Sequence, residues 1–294
     1  MENNTAKSFY DKWHNNRDLA FQNTLKEGSE IQNWILNRNG FRNLEDLKEY
    51  LKNKKRILDA GCGNGRVTAL LAINAPQSSK ITGIDLTAAD VARDNLSGMK
   101  NVNFYTKDLL QANTDIGKFD FIYCQEVLHH TNDPFQSFSN LVDYNLDIGG
   151  EIAIYVYKKK APLREYTDDY IRNKIEGMGY DEAIRHCDQI TELAKVLSEI
   201  KIEFDCPEVE LLEISKGKYT PQRFLYHFFM KCFWNPELDF KQNSAINYDW
   251  YHPQNCTRHT LDEIKSWYNV KKLTIEWVQT DFYGITVRGK KHEA

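Results

Sequence analysis

Apolar and polar positions change rhythm twice along the chain. Through the first fifty residues polar side chains dominate, with aromatics set among them at Phe9, Tyr10, Trp13, Phe21, Trp34 and Phe41, which reads as helical. Asn43 then precedes Leu44, Leu47 and Leu51, which share one side of a short helix that the asparagine is suited to cap. From residue 55 short apolar runs alternate with amphipathic stretches. They predict strands at 56–60, 80–85, 102–106, 119–124 and 151–157, and helices at 67–73, 88–99 and 134–144, the last ended by Gly149-Gly150. Strands and helices at this spacing form βαβ units, hence a parallel sheet covered on both faces. The rhythm stops after Tyr157 and resumes near His259, with a helix at 260–268 and two nearly contiguous strands at 273–279 and 282–288 that should pair as a hairpin. The expected class is α/β, with residues 158–258 inserted between the fifth strand and the last helix.

Charge narrows the partners. Lys plus Arg is 38 against 42 Asp plus Glu, a net charge of −4, so no basic excess points to nucleic acid or an anionic membrane. Hydrophobic residues at 41% and charged residues at 27% exclude wholesale disorder. No apolar run approaches the roughly 18 residues of a membrane span, and no basic leader opens the chain. Six scattered cysteines (62, 124, 187, 206, 232 and 256) without a C-x-x-C pair suit reduced, buried thiols. The expectation is a soluble, cytoplasmic protein.

The chemistry begins at Asp59-Ala60-Gly61-Cys62-Gly63-Asn64-Gly65-Arg66, a strand running through glycines into a helix, which lets backbone approach a ligand closely. A dinucleotide fingerprint would need its third glycine at 66, where Arg66 stands, so NAD and FAD are disfavoured. Asp85 ends the next strand, where a carboxylate can accept both hydroxyls of a ribose. Asp108 follows the third strand, where it can accept from an adenine amino group, and Glu126 follows the fourth. Three acids at successive strand ends mark the carboxyl edge, where parallel sheets bind ligands.

These residues resemble the class I S-adenosylmethionine-dependent methyltransferases over residues 55–157 and, more loosely, 259–290. Asp59 to Gly65 is similar to the family's first motif, Asp85 with Leu86 to its ribose-binding segment, and Asp108 with Leu109 to its adenine contact. Gln125-Glu126-Val127-Leu128-His129-His130 resembles the segment after the fourth strand in small-molecule members. The resemblance implies a Rossmann-like, seven-stranded, mostly parallel sheet with an antiparallel last strand. It also implies S-adenosyl-L-methionine as cofactor, S-adenosyl-L-homocysteine as product and, for this chain, no metal. Tyr10 and Trp13 lie three apart on a helix face and are placed to cover the methionine end, whose carboxylate Arg38 or Arg66 would pair. The chain lacks the Asn/Asp-Pro-Pro-Tyr/Phe turn of adenine and amide methylases. Its Cys124 is not preceded by proline as in cytosine-C5 enzymes, and its length does not suit the short metal-dependent catechol type.

The aromatic surplus settles in the insert. Eleven of the 33 residues from Tyr219 to Tyr251 are aromatic, against about four at the chain's 13% average. Thr220-Pro221 and Asn235-Pro236 bracket a helix predicted over 221–234, apolar nearly all round and therefore buried. The domain reading is a helical cap at 1–44, a core of 45–157 with 259–294, and a helical lid at 158–258 lining an apolar acceptor pocket. His130, then His129, are the candidate general bases. Tyr157, Lys158, Arg164, Phe224, His227, Trp250, His252 and Arg258 are the candidate acceptor-binding residues. Lys158-Lys159-Lys160 reads as a solvated loop, since the insert holds 15 Lys/Arg against 17 Asp/Glu. The expected partner is a small molecule, such as a sugar or another hydroxylated metabolite, with no nucleic acid and no membrane. A homodimer is compatible with the sequence. The alternatives are an RNA or protein acceptor, a carboxylated donor, or cofactor binding without catalysis.

Overall fold

The computed structural model describes residues 4–293, so the reading of the extreme N-terminus at Met1–Asn3 lies outside the described residues, as does Ala294. The chain divides into two compact units: a sheet unit of Trp13–Lys158 with Thr257–Ala294, and a helical unit of Met1–Lys12 with Lys159–Cys256.

In the sheet unit, β1 (Arg56–Ala60), β2 (Lys80–Asp85), β3 (Val102–Thr106), β4 (Phe119–Gln125) and β5 (Leu146–Tyr157) pair in parallel in the order β3-β2-β1-β4-β5. Gly284–Lys291 continues the sheet antiparallel to β5, and Leu273–Thr280 closes it, antiparallel to Gly284–Lys291. Seven strands thus form one sheet with only its last chain segment reversed, and the expected terminal hairpin is present. Alternation across the pleat sorts the core into two layers. Leu58, Ile122, Cys124, Ile152 and Ile154 face the Pro134–Asn140 and Leu261–Val270 helices through Phe138, Ile264, Trp267 and Tyr268. Ile57, Ile81, Phe121, Tyr123 and Ala153 face the other way, against Ile35, Leu36, Leu47, Leu51, Leu70 and Leu71. Asn43 caps Leu44–Leu51 by accepting from the Asp46 N–H, as its spacing predicts.

Several boundaries differ from the expectation. The helix placed at 88–99 runs only over Ala89–Asn95 and gives way to a turn at Leu96–Met99. The helix placed at 134–144 is regular over Pro134–Asn140 and widens over Leu141–Asn145; β5 then starts at Leu146, with Gly149-Gly150 inside it and a register slip between Phe119 and Phe121. Side chains far away in sequence cause this. Asn140 donates to the Leu109 carbonyl at 3.0 Å, and Asn145 donates to those of Asn113 and Gly117 at 2.9 and 3.0 Å, which pins the segment where periodicity alone would continue the helix.

The helical unit holds Pro162–Ile175, Tyr180–Glu199, Pro221–Phe228 and Phe240–Tyr251, with a ribbon of Phe204–Cys206 and Gly217–Tyr219. Small buried residues on Tyr180–Glu199 (Ala183, Cys187, Thr191 and Ala194) let Phe240–Tyr251 approach closely, and Asn247 donates to the Thr191 hydroxyl at 2.9 Å. Thr220 caps Pro221–Phe228 as expected, but that helix ends at Phe228 and not at 234. Its continuation is bonded by side chains instead. Asp168 accepts from the Lys231 N–H, Asn247 from that of Phe233 and Asn243 from that of Asn235, while Gln222 donates to the Cys232 carbonyl. With these groups satisfied, nothing drives the helical hydrogen bonds onward. A second correction concerns the lysine run: Lys158 and Lys159 are exposed, but Lys160 is buried, with its ammonium 5.6 Å from the Trp250 ring centroid. Among the described residues no helix is long and apolar enough to cross a membrane.

Candidate active site

The glycine turn follows β1 directly. Gly61 and Gly63 have φ of 85° and 52°, in the left-handed region that favours glycine. A Cβ at Gly61 would lie 2.2 Å from Val127, and one at Gly63 would lie 2.6 Å from the Trp13 ring, so neither position tolerates a side chain. The Gly61 and Cys62 N–H groups both donate to the Ile84 carbonyl, stitching the turn to the end of β2. Asp85 locks it there: one oxygen accepts from the Gly63 N–H at 2.9 Å, the other from the Thr87 and Ala88 N–H groups at 2.8 and 2.9 Å.

Three residues of the turn direct their side chains inward. Asn64 donates to the Arg17 and Leu19 carbonyls, and the Cys62 thiol packs with Ala69, Ala92, Leu96 and Phe104. Burial pushes the Cys62 thiol pKa well up. Asp59 is buried, accepts from the Thr68 hydroxyl at 2.5 Å, and is pushed up to about 7 by that burial. Along the same edge Asp108 accepts from the Leu110 N–H at 2.9 Å, Leu109 is buried in the core, and Leu86 is exposed.

A second group gathers after β4. Gln125 donates to Asn39, which in turn donates to the Ile35 carbonyl. Glu126 has φ of 63°, uncommon for a residue with a side chain, and its carboxylate lies 3.4 Å from Arg66 and 3.9 Å from Arg38. Arg66 also donates to the Thr24 hydroxyl at 2.9 Å. The Arg38 guanidinium is buried in the corner of an edge-to-face ring pair, 3.8 Å from the Trp34 centroid and 4.5 Å from that of Tyr155, and its Nε and Nη1 have no hydrogen-bond partner among the described residues. Sequence reading found the arginine but not the two rings against it, although Trp34 and Arg38 are four apart on one helix.

His129 and His130 sit on the short turn Leu128–His130, both buried. Tyr157 packs over the His129 ring at 3.7 Å and edge-on to His130 at 5.5 Å. The Thr257 N–H and hydroxyl both reach the His129 carbonyl, at 2.9 and 3.2 Å. That hydroxyl also contacts His259 Nε2 at 2.9 Å, and His259 Nδ1 contacts Glu263 at 2.8 Å. The sequence reading missed this Thr257–His259–Glu263 chain, whose one signal is the i,i+4 spacing of His259 and Glu263.

The expected site residues fall into the two units. The glycine turn, Asp59, Asp85, Leu86, Asp108, Leu109, Gln125, Glu126, Trp13, Arg66, both histidines, Tyr157, Lys158 and Arg258 belong to the sheet unit; Tyr10, Arg164, Phe224, His227, Trp250 and His252 belong to the helical unit. Within the latter, His252 contacts the Ser8 hydroxyl at 2.8 Å and the Met178 carbonyl at 3.0 Å and stacks on Tyr248, so both its ring nitrogens are engaged internally.

A family model described as "Methyltransferase domain" matches residues 33–193, more than half of the chain. The chain belongs to the class I S-adenosylmethionine-dependent methyltransferase family. It is 38% identical over 122 residues to an uncharacterized protein of Synechococcus sp., covering 39% of this chain and 29% of that one. It is 27% identical over 201 residues to a ubiquinone biosynthesis O-methyltransferase of Coxiella burnetii, covering 66% and 75%. Among solved structures, the CurJ carbon methyltransferase is similar with a TM-score of 0.50 at 11% identity, over 92% of this chain and 58% of that one. The chain thus spans less than a third of the Synechococcus protein's length. The residues fit the family's cofactor, S-adenosylmethionine: a turn that any Cβ would fill, a locked carboxylate at the end of β2, and a buried arginine with open nitrogens.

Proposed function

We propose that this chain transfers a methyl group from S-adenosylmethionine to the oxygen or nitrogen of a small-molecule acceptor, with a sugar or another hydroxylated metabolite as the acceptor class. The observation that carries the reading is the glycine turn tied to Asp85, because a turn with no room for a side chain beside a fixed carboxylate suits a nucleoside held by its ribose. The name of the Coxiella relative, an O-methyltransferase, favours oxygen.

When bound, S-adenosylmethionine supplies an activated methyl group on a sulfonium. Asp85 would accept from the ribose hydroxyls, Asp108 from the adenine amino group, and Arg38 with Arg66 would hold the methionine carboxylate. Trp13, against the Gly63 turn, would exclude water. What remains for the protein is alignment of the acceptor with the methyl–sulfur bond, and such positioning is worth about 7–11 kcal/mol. His130 would take the proton of an incoming hydroxyl or amine, with His129 and Tyr157 packed beside it to fix its ring. Among the acceptor-binding candidates, Lys158 and Arg258 would act from the sheet unit.

His130→Gln tests the base. Turnover should fall by roughly 10²–10⁴-fold while affinity for S-adenosylhomocysteine stays within about twofold. Unchanged turnover would remove His130 from the mechanism.

A further inference from the structure

The candidate base sits on a turn of three residues, Leu128–His130. There the His130 N–H donates to the Val127 carbonyl at 2.9 Å, and the Thr131 N–H and hydroxyl donate to that of Leu128 at 3.0 and 2.7 Å. The His129 carbonyl, in the peptide that joins the two histidines, finds its donors 128 positions further along, in the Thr257 N–H at 2.9 Å and hydroxyl at 3.2 Å. Two residues on, the His259 N–H donates to the Tyr157 carbonyl at 2.8 Å, and His259 pairs in parallel with Lys158. Thr257 and His259 thus hold the backbone of His129 and Tyr157, whose rings pack at 3.7 Å, and Tyr157 meets His130 edge-on. All of these residues belong to the sheet unit.

The side chains of the same segment are linked to one another. The Thr257 hydroxyl lies 2.9 Å from His259 Nε2, and His259 Nδ1 lies 2.8 Å from a Glu263 oxygen. The His259 ring is buried, edge-on to Trp267 at 5.2 Å, while Thr257 and Glu263 are exposed at either end. Glu263 is itself fixed: it stands at the capping-box position of the Leu261–Val270 helix, where its N–H donates to the Thr260 cap. A carboxylate only accepts, so Glu263 draws the proton of a neutral ring to Nδ1 and leaves Nε2 to accept. The one proton of the Thr257 hydroxyl then goes to Nε2, and the Thr257 N–H stays aimed at the His129 carbonyl. Closing a loop would need only the two backbone bonds; the carboxylate–imidazole–hydroxyl series adds orientation to them.

We infer that Thr257, His259 and Glu263 are positioning residues for the His129–His130 turn: Glu263 sets the His259 tautomer, His259 orients Thr257, and Thr257 holds the His129 carbonyl. A base oriented by a further group is a general arrangement in proton-transfer sites, here carried through a backbone carbonyl. The three act through the turn and need touch neither acceptor nor cofactor. That the turn so held presents a general base rests on the function proposed above. Aim matters there, because a misplacement of about 1 Å from a change remote from the chemistry can cost roughly 100-fold in rate.

The test is NMR of the full chain carrying ¹⁵N-labelled histidine rings and ¹³C-labelled carbonyls. At alkaline pH the His259 ring should carry its proton on Nδ1, and Glu263→Leu should move the ring toward the Nε2–H form. Thr257→Val keeps the shape and the backbone N–H but loses the hydroxyl. It should shift the His129 carbonyl and His130 ring resonances, and Thr257→Ser should restore them, with affinity for S-adenosylhomocysteine unchanged throughout. An Nε2–H ring in the parent chain, or His130 resonances that stay put in folded Thr257→Val, overturns the proposal. Turnover is read separately, as S-adenosylhomocysteine released with monosaccharide and dihydroxybenzoate probes. Thr257→Val should lower kcat by roughly 10–100-fold with KM unchanged, and Thr257→Ser should recover it. Resonances that move while turnover does not keep the positioning of the turn and remove His130 as base. Unmoved resonances in Thr257→Val, with turnover lost in His130→Gln, do the reverse.

Discussion

Arg38 of the sheet unit and Arg164 of the helical unit are built alike and resolved differently. Each guanidinium is buried against two aromatic rings, Trp34 with Tyr155 for one and Tyr226 with Trp250 for the other. Each has a buried nitrogen without a partner among the described residues. Their carboxylates separate them. Glu126 reaches Arg38 only at 3.9 Å, is partly exposed and shares itself with Arg66, whereas Asp168 is buried and held by four donors. A half-exposed acid 3.9 Å from a buried arginine leaves that arginine free to take a ligand's carboxylate in the proposed cofactor site. An acid held by four donors keeps its arginine as part of the frame. The buried amides of both units do something simpler: Asn64, Asn145 and Asn243 bind backbone carbonyls and hold loops in place. Internal amides therefore mark the frame.

Six substitutions probe that division, from the largest effect to the smallest. Gly61→Val, whose side chain would meet Val127, should abolish S-adenosylhomocysteine binding, a loss above roughly 100-fold, with circular dichroism checking that the chain still folds. Arg38→Met should weaken the same ligand by roughly 10–100-fold, the value of a hydrogen bond to a charged group, while Arg164→Met leaves it within about twofold. Equal losses from both arginines would break the comparison.

Asp59→Asn probes the frame by pH. Burial raises the folded pKa to about 7, so the carboxyl is protonated in both states at low pH and stability is fully present below the unfolded value. As pH climbs from about 4 to about 7 only the unfolded chain releases the proton, and on the order of 4 kcal/mol is lost. The asparagine variant should flatten that decline; denaturant midpoints at pH 4.5 and 7.5 measure it, and an undiminished slope would assign the decline to other groups. Smallest is the loss of a cap. Asp133→Ala in the sheet unit and Asp239→Ala in the helical unit each remove an acceptor for a first-turn N–H and should cost about 1 kcal/mol, read from melting curves.

What the chain disclosed in advance follows the range of the forces involved. Short apolar runs between amphipathic stretches put β1, β2 and β3 in place, and the spacing from Gly65 to Asp85 marked the proposed nucleoside site, because both are local along the sequence. The premature end of the helix at Phe228 was not legible, since Asn243 and Asn247 satisfy that backbone from another helix. Lys160 looked solvated because its neighbours in sequence are exposed, while its burial beside Trp250 depends on a residue ninety positions away. The ring pair against Arg38 joins a helix to β5 and had only half its signal in one element.

The central claim is that the glycine turn and Asp85 hold S-adenosylmethionine. Calorimetry of the purified chain with S-adenosylhomocysteine and with NAD, repeated on Asp85→Ala, tests it most directly. One site for S-adenosylhomocysteine, no heat from NAD, and at least a tenfold weaker site in the variant are expected. Binding of NAD without S-adenosylhomocysteine, or full affinity in a folded Asp85→Ala chain, would contradict it.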